Sequence, residues 1–391
     1  MKEAVIVSGV RTAIGKFGGS LKDTPSIDLM GMVIKEALAR GKVDPELVGD
    51  VIVGQCMQRS DEYVTGRLAA LKAGLSIKVP GVTIQRNCAS GLQAIVYGAQ
   101  QIMLGDEDCV VAGGVEVMSR VPYVLYDARW GKRMQNGVMT DGLTEGLTDA
   151  WCGLIMGLTA ENVAAKWGIS REEQDEVALR SHHNAEAAIK AGKFKDEVMP
   201  VPLPQKKGDP IMFTTEEHVR PGLKMEDLTK LKPAFKKDGT VTAGNASGIN
   251  DAAAAVVVMS ADKAKELGLT PIAKLKGYAC AGVEPELMGY GPVPAVQKLL
   301  QKTGRKIDDV DVIECNEAFA AQYCACEKLL GMKREKVNVN GSGIALGHPV
   351  GATGARITVT LINELKRRGG GLGITTMCVG GGMGMAALWE V

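Results

Sequence analysis

A repeat between the two ends of the chain constrains the fold more than any other feature of the sequence. The triplet Asp-Val-Ile begins at Asp50 and leads to Gln55, and the same triplet begins at Asp311 and leads to Asn316 with the same spacing. Repeated segments of this kind indicate that two stretches of a chain adopt similar structures.

Two further matches follow in the same order along each half. The segment ASGLQAI at 89–95 matches ATGARI at 352–357, with a glycine at the start of each helical pattern, and VVAGG at 110–114 matches MCVGG at 377–381. Three ordered matches predict two similar halves, each a series of β-α units, whose loops meet at a shared interface. Binding and catalytic sites form preferentially at such interfaces.

Short β-branched runs alternate with longer helical patterns through both halves. VIVSGV, DVIVGQ, CVVAGG, AAAAVVVMS, DVIE and GITTMC are typical of buried strands, whereas IDLMGMVIKEALARG and AVQKLLQKTG have the periodicity of helices. This alternation predicts an α/β protein with buried sheets. The 49 glycines and the aromatic content of only 4% suit helices and strands that approach one another closely.

Between the two halves the composition changes, and we interpret this stretch as an inserted loop domain. It contains a charged helical pattern that begins at Ser170, with Glu173 placed to complete a capping box, followed by the irregular PVPLPQKKGDP. The predicted division is residues 1–118 with 249–270 for the first half, 119–248 for the loop domain and 271–391 for the second half.

The charge balance excludes several classes of function. The 46 basic and 45 acidic residues leave a formal net charge of +1, so no global field draws the chain to nucleic acid or to an anionic membrane. An anionic substrate must therefore be held by local groups. No apolar run of about 18 residues is present to span a bilayer, and the nine cysteines without a CxxC pair favour a reduced chain. We expect a cytoplasmic protein.

Only one of the four histidines lies in a sequence that suits a site. His182 and His183 belong to the charged helical pattern and His218 lies in TTEEHVR, so we expect all three on the surface. His348 lies in NVNGSGIALGHPVGATGARI, whose glycines permit close backbone approach just before a helix. This segment has neither the GKS or GKT of a phosphate loop nor the GxGxxG of a dinucleotide site, so a different chemistry is expected.

Cys88, in NCASGLQAI, stands at the start of a helical pattern. The positive end of the helix dipole and the unpaired N–H groups there favour thiolate over thiol, and they suit an oxyanion on a bound thioester carbonyl. Cys378 follows an apolar strand and precedes a glycine-rich turn that leaves room for a substrate. Each cysteine alone is also typical of a small buried apolar residue. Together with Asn316 and His348, the two cysteines indicate a site.

These segments and several others resemble one family. VRTAIGKFGG, NCASGLQAI, AGGVEVMS, LKPAFKKDGTVTAGNASGIND, CNEAFAAQ, GHPVGATGAR and CVGGGMG occur in family order. The chain is similar to thiolases, the acetyl-CoA C-acyltransferases, along nearly all its length. The resemblance implies an α/β fold of five layers, α-β-α-β-α, built from two similar halves with an inserted loop domain that holds coenzyme A. It also implies a homodimer or homotetramer, with tetramer contacts near residues 120–142.

The resemblance implies a role for each reactive residue. Cys88 would accept the acyl group, His348 would be the base that activates it, and Cys378 would be the acid and base at the α-carbon of the second acyl-CoA. Asn316 would hold the water of one oxyanion site, which also uses His348, and the backbone N–H groups of Cys88 and Gly380 would form the other. The implied reaction is reversible thiolytic cleavage of 3-ketoacyl-CoA, or condensation of two acetyl-CoA to acetoacetyl-CoA.

The resemblance also implies a set of residues that line the coenzyme A and acyl sites. They are Leu147, Met156, Arg220, Phe235, Ala243, Ser247, Met288, Ala318 and Phe319. Coenzyme A is then a substrate, and we expect no metal and no bound cofactor.

The sequence departs from the biosynthetic thiolases at the pantetheine loop. Those enzymes have a histidine before the MG of this loop, whereas GLIMGLTAEN has Ile155. An apolar side chain in place of a polar thioester contact would admit longer or differently shaped acyl groups, and NCASG in place of CGSG points the same way. PAF at 233–235 and NASGIND resemble the biosynthetic type. Acyl chain length therefore stays open between acetoacetyl-CoA and the longer 3-ketoacyl-CoA of fatty acid β-oxidation.

Three alternatives have weaker support in the sequence. A non-catalytic acyl- or sterol-carrier relative would lack a member of the reactive set, and none is missing. A decarboxylating ketoacyl synthase would use one cysteine with two histidines, whereas here Asn316 and His348 accompany two cysteines. A Cys/His metal site is disfavoured because the four residues have no ligand spacing.

Overall fold

A computed structural model describes all 391 residues of the chain. Its strands are β1 (Ala4–Thr12), β2 (Gly15–Lys16), β3 (Asp50–Gly54), β4 (Gly81–Ile84), β5 (Cys109–Val117), β6 (Tyr123–Val124), β7 (Thr140–Asp141), β8 (Val198–Met199), β9 (Val201–Leu203), β10 (Ile211–Phe213), β11 (Asn250–Ser260), β12 (Ala273–Gly282), β13 (Val312–Cys315), β14 (Leu372–Val379) and β15 (Met383–Glu390). Its helices are α1 (Ser26–Gly41), α2 (Thr65–Lys72), α3 (Ser90–Leu104), α4 (Gly142–Gly146), α5 (Met156–Trp167), α6 (Arg171–Lys190), α7 (Met225–Thr229), α8 (Ala261–Glu266), α9 (Pro292–Thr303), α10 (Ala320–Leu330) and α11 (Val350–Arg367). None of these helices combines the length and the apolar character needed to cross a membrane.

Eleven strands form one sheet in which the internal repeat is visible. Strands β4, β3, β5, β11 and β1 make up one half, and β13, β14, β15 and β12 make up the other. In each half a parallel pair, β3 with β5 or β13 with β14, is followed by antiparallel pairs. The halves join where β1 and β12 pair, Val5 with Lys274 and Ile6 with Ala273. The predicted pair of similar halves is therefore confirmed.

The main helices divide into three layers, which with the two halves of the sheet give the predicted α-β-α-β-α arrangement. Helices α1 and α2 cover the outer side of the first half, α9 covers the outer side of the second with α10 beside it, and α3 and α11 lie between the halves. Each interface has its own hydrophobic cluster, to which Leu29 of α1, Leu92 of α3 and Leu299 of α9 belong in turn. The predicted fold class is confirmed.

Glycines let the two central helices touch backbone to backbone. Gly91 of α3 and Gly354 of α11 are the matched glycines of the repeat. A Cβ at Gly354 would lie 2.4 Å from the backbone nitrogen of Leu92, and one at Gly91 would lie 2.8 Å from the backbone nitrogen of Ala355. Side chains at these positions would push the helices apart, and with them the loops that precede the helices.

The stretch predicted as a loop domain contains the short strands β6 to β10, the short helices α4 and α7, and the longer helices α5 and α6. The predicted capping box at the start of α6 is confirmed: Ser170 Oγ accepts a hydrogen bond from the Glu173 N–H, and the Glu173 carboxylate accepts one from the Ser170 N–H. After this stretch the chain returns to the sheet as β11, between β1 and β5. The three-part division of the chain stays a prediction.

One histidine of α6 does not lie where the sequence predicts. His182 is only 2% exposed, so the predicted surface position is wrong, because the segment that contains His218 and Arg220 packs against this ring. Burial, and then the charges of His218, Arg220 and His183, lower the pKa of His182 to about 3. The ring is therefore neutral. His183 is exposed, as predicted, and His218 is half-buried.

Candidate active site

Cys88 lies in the tight turn that leads into α3. Asn87 has a left-handed backbone conformation, with φ of 41°. Ser90 Oγ ties the turn together, because it accepts a hydrogen bond from the Arg86 N–H at 2.8 Å and donates one to the Asn87 carbonyl at 2.7 Å. Cys88 is half-buried and lies just before the first turn of the helix. The helix start predicted at this segment is confirmed.

Burial controls the ionisation of Cys88. It raises the pKa of the thiol to about 11, although hydrogen bonds from the backbone of Gly380 and of Cys88 itself lower the pKa, and the Glu116 carboxylate raises it further. The predicted preference for thiolate is therefore wrong for the resting chain. The N–H groups are in place, but the cost of removing a thiolate from water exceeds the stabilisation that their hydrogen bonds provide.

Cys378 lies near the end of β14, directly before the turn that leads to β15, and its side chain is buried. Burial raises the pKa of this thiol well above its usual value, and negative charge on Cys88 or Cys315 raises it further. The structure thus brings Cys88 and Cys378, from opposite halves of the chain, close enough for a charge on one to affect the ionisation of the other.

His348 is held by three hydrogen-bonding contacts. Its Nδ1 lies 2.6 Å from Thr353 Oγ1 and 3.4 Å from Asn316 Nδ2, and its backbone N–H donates to Asn250 Oδ1 at 3.0 Å. Burial, and then the positive charge of Arg356, lower the pKa of His348 to about 3. The imidazole is therefore neutral, and both side-chain contacts use Nδ1, which leaves Nε2 for a further partner.

The Asn316 side chain has one buried atom without a protein partner. Its Oδ1 accepts no hydrogen bond. Gly343 leaves space beside this oxygen, since a Cβ added at Gly343 would lie 2.7 Å from Asn316 Oδ1. The Asn316 backbone N–H is held by the Thr376 carbonyl at 2.9 Å. Because a buried amide oxygen without a partner destabilises a protein, this position suits a hydrogen-bond donor such as water.

Glu116, which the sequence motifs did not point to, joins the two halves at this site. Its carboxylate accepts hydrogen bonds from the backbone N–H groups of Cys56 at 2.9 Å, Met57 at 3.1 Å and Gly351 at 2.8 Å. Gly351 lies at the start of α11, close after His348. A charged residue inside the apolar run VVAGGVEV is the signal that could have identified Glu116, because such a group is rarely buried unless it is paired.

Most of the predicted binding residues form one apolar wall. Phe235 and Phe319 pack edge to face, with ring centroids 6.2 Å apart. Met288 and Ala318 are buried in the same hydrophobic cluster, and Met156 packs against it. The apolar residues predicted to line the acyl site therefore lie together.

Backbone hydrogen bonds place Leu147 and Ser247 at the two ends of this wall. The Met156 N–H donates to the Leu147 carbonyl at 3.0 Å, and the Ser247 N–H donates to the Ala318 carbonyl at 2.9 Å. Leu147 also packs with Cys88 around a small apolar cluster. The wall thus reaches the reactive cysteine.

Arg220 and Ala243 lie at the surface. The Arg220 N–H donates to His182 Nδ1 at 3.2 Å. No hydrogen bond or hydrophobic cluster joins Arg220 or Ala243 to either of the reactive cysteines. Their roles toward coenzyme A stay predictions.

A basic pocket opens at the surface beside Phe235. It has a volume of about 440 Å³, and its lining includes Lys232, Lys236, Lys237 and Asp238. Three lysines at one opening suit an anionic group such as a phosphate. No group of three or more His, Cys, Asp or Glu side chains is arranged to hold a metal ion.

The fold and the two neighbouring thiols are those of an enzyme that transfers acyl groups. Two family models match the chain: "Thiolase, N-terminal domain" over residues 4–262 and "Thiolase, C-terminal domain" over residues 269–391. The chain belongs to the thiolase family.

Individual relatives match over the full length of the chain. Beta-ketothiolase BktB of Cupriavidus necator is 54% identical over 392 residues, which cover 100% of this chain and 99% of the relative. The crystal structure of Bacillus anthracis acetyl-CoA acetyltransferase has a TM-score of 0.98 and 53% identity, and covers 100% of this chain and 99% of that chain. Human mitochondrial 3-ketoacyl-CoA thiolase in complex with CoA has a TM-score of 0.96 and 44% identity, with 100% and 98% coverage.

These similarities decide the class of enzyme. The predicted acyltransferase is confirmed, as is the predicted class of reaction, thiolytic cleavage or condensation of acyl-CoA. The non-catalytic carrier and the ketoacyl synthase have no comparable support. The roles of individual site residues stay predictions.

The pH dependence of Cys88 alkylation should distinguish a neutral resting site from an ion pair. Burial raises the pKa of Cys88 to about 11 and lowers the pKa of His348 to about 3, so the uncharged thiol and imidazole persist between these values. We therefore expect the rate of alkylation by iodoacetamide to rise continuously from about pH 6 to about pH 10, because only the thiolate reacts. Mass spectrometry of the Cys88 peptide measures the rate.

The Cys88→Ser variant is the control for this experiment, because it shows which modified peptide arises from Cys88 and not from another cysteine. A rate that stays constant across neutral pH would show that a thiolate–imidazolium pair already exists in the resting chain. That result would contradict the neutral site.

Proposed function

We propose that this chain catalyses the reversible cleavage of 3-ketoacyl-CoA by coenzyme A through an acyl group on Cys88. The observation that carries the proposal is the meeting of Cys88 and Cys378 beside the backbone of Gly380. The neutral His348, just before α11, and its partner Asn316, just after β13, complete the site. Cleavage of a carbon–carbon bond next to a thioester needs a nucleophile and a separate proton donor. Two thiols in one buried site supply both.

In the first half-reaction, His348 takes the proton of Cys88, and Cys88 Sγ attacks the ketone carbon of the substrate. The electrons of the breaking carbon–carbon bond stay on the α-carbon, which takes the proton of Cys378 as acetyl-CoA leaves. Backbone N–H groups of Cys88 and Gly380 stabilise the oxyanion on the acyl group. Asn316, through water, and His348 stabilise the developing enolate oxygen.

In the second half-reaction, coenzyme A releases the acyl group. The Cys378 thiolate takes the proton of the coenzyme A thiol, and the resulting thiolate attacks the acyl carbon on Cys88. Cys88 Sγ leaves and recovers its proton from the imidazolium of His348. Every group then returns to its starting protonation state, and the same steps in reverse condense two acetyl-CoA.

The apolar wall and the basic pocket support binding of coenzyme A as a substrate. Phe235 belongs to both, since it packs against Phe319 and lines the pocket that contains Lys232, Lys236 and Lys237. We assign the wall to the pantetheine arm and acyl group, and the lysines to the phosphates. The matched human thiolase was solved in complex with CoA, which supports binding of coenzyme A by this chain.

Substitution of the two cysteines should separate the two chemical roles. We expect Cys88→Ser to abolish acetylation by acetyl-CoA with the fold intact, because the nucleophile is lost. We expect Cys378→Ser to retain acetylation at a reduced rate, since a coenzyme A thiolate can leave without a proton, but to stop formation of acetoacetyl-CoA. Mass spectrometry of the Cys88 peptide and the absorbance of the acetoacetyl-CoA enolate measure the two steps.

A buried thiol outside the site provides the control. Cys109→Ser changes a buried cysteine of β5 that the mechanism does not use, and we expect it to keep both steps. Near-normal turnover in Cys88→Ser would show that Cys88 contributes only to packing, and it would contradict the proposed mechanism.

The acyl chain length accepted should depend on Ile155. This half-buried residue immediately precedes Met156. Met156 lies beside Gly380, since a Cβ added at Gly380 would be 3.6 Å from the Met156 sulfur. We expect the chain to cleave acetoacetyl-CoA and also longer 3-ketoacyl-CoA. In Ile155→His we expect kcat/KM for the longer substrates to fall about tenfold relative to acetoacetyl-CoA, because a polar ring replaces an apolar contact.

Ile155→Leu is the matched control, since it keeps the size and the apolar character of the side chain. Cleavage confined to acetoacetyl-CoA in the unmodified chain would favour a short-chain enzyme and would remove the proposed role of Ile155. An unchanged ratio in Ile155→His would have the same meaning.

We also propose a homotetramer with contacts in segment 120–142. Tyr126, Trp130, Met134 and Val138 are all exposed there, and Trp130 is 92% exposed. Exposed apolar patches of this kind are typical of protein–protein contacts. We expect sedimentation to show a tetramer and Trp130→Ser to shift it toward dimers, whereas a monomer would contradict the proposal.

We propose a cytoplasmic location for this enzyme. None of the nine cysteines is paired in a disulfide, and free thiols suit a reducing compartment. Activity found in a membrane or extracellular fraction after cell fractionation would contradict this proposal.

A further inference from the structure

One peptide unit beside the reactive cysteines is held at both of its ends. The carbonyl of Gly380 accepts a hydrogen bond from Asn87 Nδ2 at 2.9 Å, and the N–H of Gly381 donates to Asp149 Oδ2 at 3.0 Å. The unit lies in the turn after Cys378, where Gly381 has φ of 89°. Because glycine leaves such a turn free to rotate, these two side chains fix its orientation.

Asp149 is a rigid anchor for the N–H end of the peptide. It is 6% exposed, and its second oxygen, Oδ1, accepts hydrogen bonds from the backbone N–H groups of Trp151 at 2.8 Å and Cys152 at 3.1 Å. Burial raises the pKa of Asp149, but hydrogen bonds from these backbone groups and from Gly381 outweigh burial, so the pKa lies below its usual value. The carboxylate is therefore charged and fixed.

Asn87 anchors the carbonyl end and is itself part of the nucleophile loop. It immediately precedes Cys88, and its own carbonyl accepts hydrogen bonds from Ser90 Oγ at 2.7 Å and Cys56 Sγ at 3.0 Å. One residue thus fixes both the loop that carries the nucleophile and the turn that carries the Gly380 N–H.

We propose that Asn87 and Asp149 are positioning residues that keep the Gly380 N–H directed at the acyl group on Cys88. This inference rests on the proposed function, in which the Gly380 and Cys88 N–H groups receive the oxyanion. The Gly380 carbonyl and the Gly381 N–H are both engaged elsewhere. The N–H of Gly380 itself is therefore the free donor that faces Cys88 Sγ.

Preorganised donors of this kind accelerate a reaction because they need not reorient as charge develops. Removal of one oxyanion donor lowers kcat by roughly 100- to 1,000-fold in other enzymes. Loss of a residue that orients the donor should have a smaller effect, because the N–H remains present and reaches the correct orientation for part of the time.

The test compares Asn87→Leu and Asp149→Asn with the unmodified chain. We expect kcat for acetoacetyl-CoA cleavage to fall about tenfold or more in each variant, with KM changed less than about twofold, because the interaction lost acts mainly in the transition state. In Asn87→Leu we also expect the pH profile of Cys88 alkylation to move to higher pH. The Gly380 N–H would no longer lower the pKa of the thiol. The other titratable groups of the site, Cys56, Cys378, Glu116 and His348, are unchanged in this variant.

Asn363→Leu is the matched control. Asn363 also donates its side-chain amide to a backbone carbonyl, that of Val359 at 2.9 Å, but it lies near the far end of α11 from the site. We expect both kcat and the alkylation profile to stay unchanged in this variant.

Two outcomes would overturn the inference. One is normal kcat in Asn87→Leu. The other is a fall in kcat with an unchanged alkylation profile, which would show that Asn87 only supports the local fold. The alkylation arm needs no turnover, so it decides the orientation of the Gly380 N–H even if the unmodified chain fails to cleave 3-ketoacyl-CoA. That failure would count against the proposed function alone.

Discussion

The close approach of two helices at matched glycines is the contact on which the rest of the molecule depends. At Gly91 of α3 and Gly354 of α11, backbone atoms of the opposite helix stand where a Cβ would be. Cys88 lies directly before α3 and His348 directly before α11, so the spacing of the helices sets the spacing of the reactive loops. Because a protein interior is close-packed, even one added methyl group would have to be accommodated by moving a helix.

Burial between the two halves then gives the site its chemical character. It raises the pKa of Cys88 and Cys378 and lowers that of His348, so the resting site holds neutral groups. Backbone N–H groups, which carry no net charge, are left to meet negative charge as it develops. Buried carboxylates hold that backbone in place: Glu116 and Asp149 each accept hydrogen bonds from three N–H groups.

The residues of the candidate site could be named from the sequence, whereas the side chains that hold the surrounding backbone could not. Cys88 and His348 lie in glycine-rich motifs whose identity is local and specific. Asn87 lies inside one of these motifs, yet nothing local shows that its amide reaches Gly380 in the other half of the chain. His182 shows the same limit, since a charged helical pattern indicated a surface position and the distant segment around His218 and Arg220 covers the ring.

The sequence by itself determined the α/β class, the two similar halves, the start of α6 and the family to which the site motifs belong, because repeats, periodicity, caps and motifs are properties of neighbouring residues. Only the tertiary structure decided that Cys88 and Cys378 meet, that both thiols and the His348 imidazole are neutral at rest, and that Asn87 and Asp149 hold one peptide between them. Ionisation and long-range hydrogen bonds depend on how completely distant segments exclude water from a group, and that exclusion exists only after the halves have packed together.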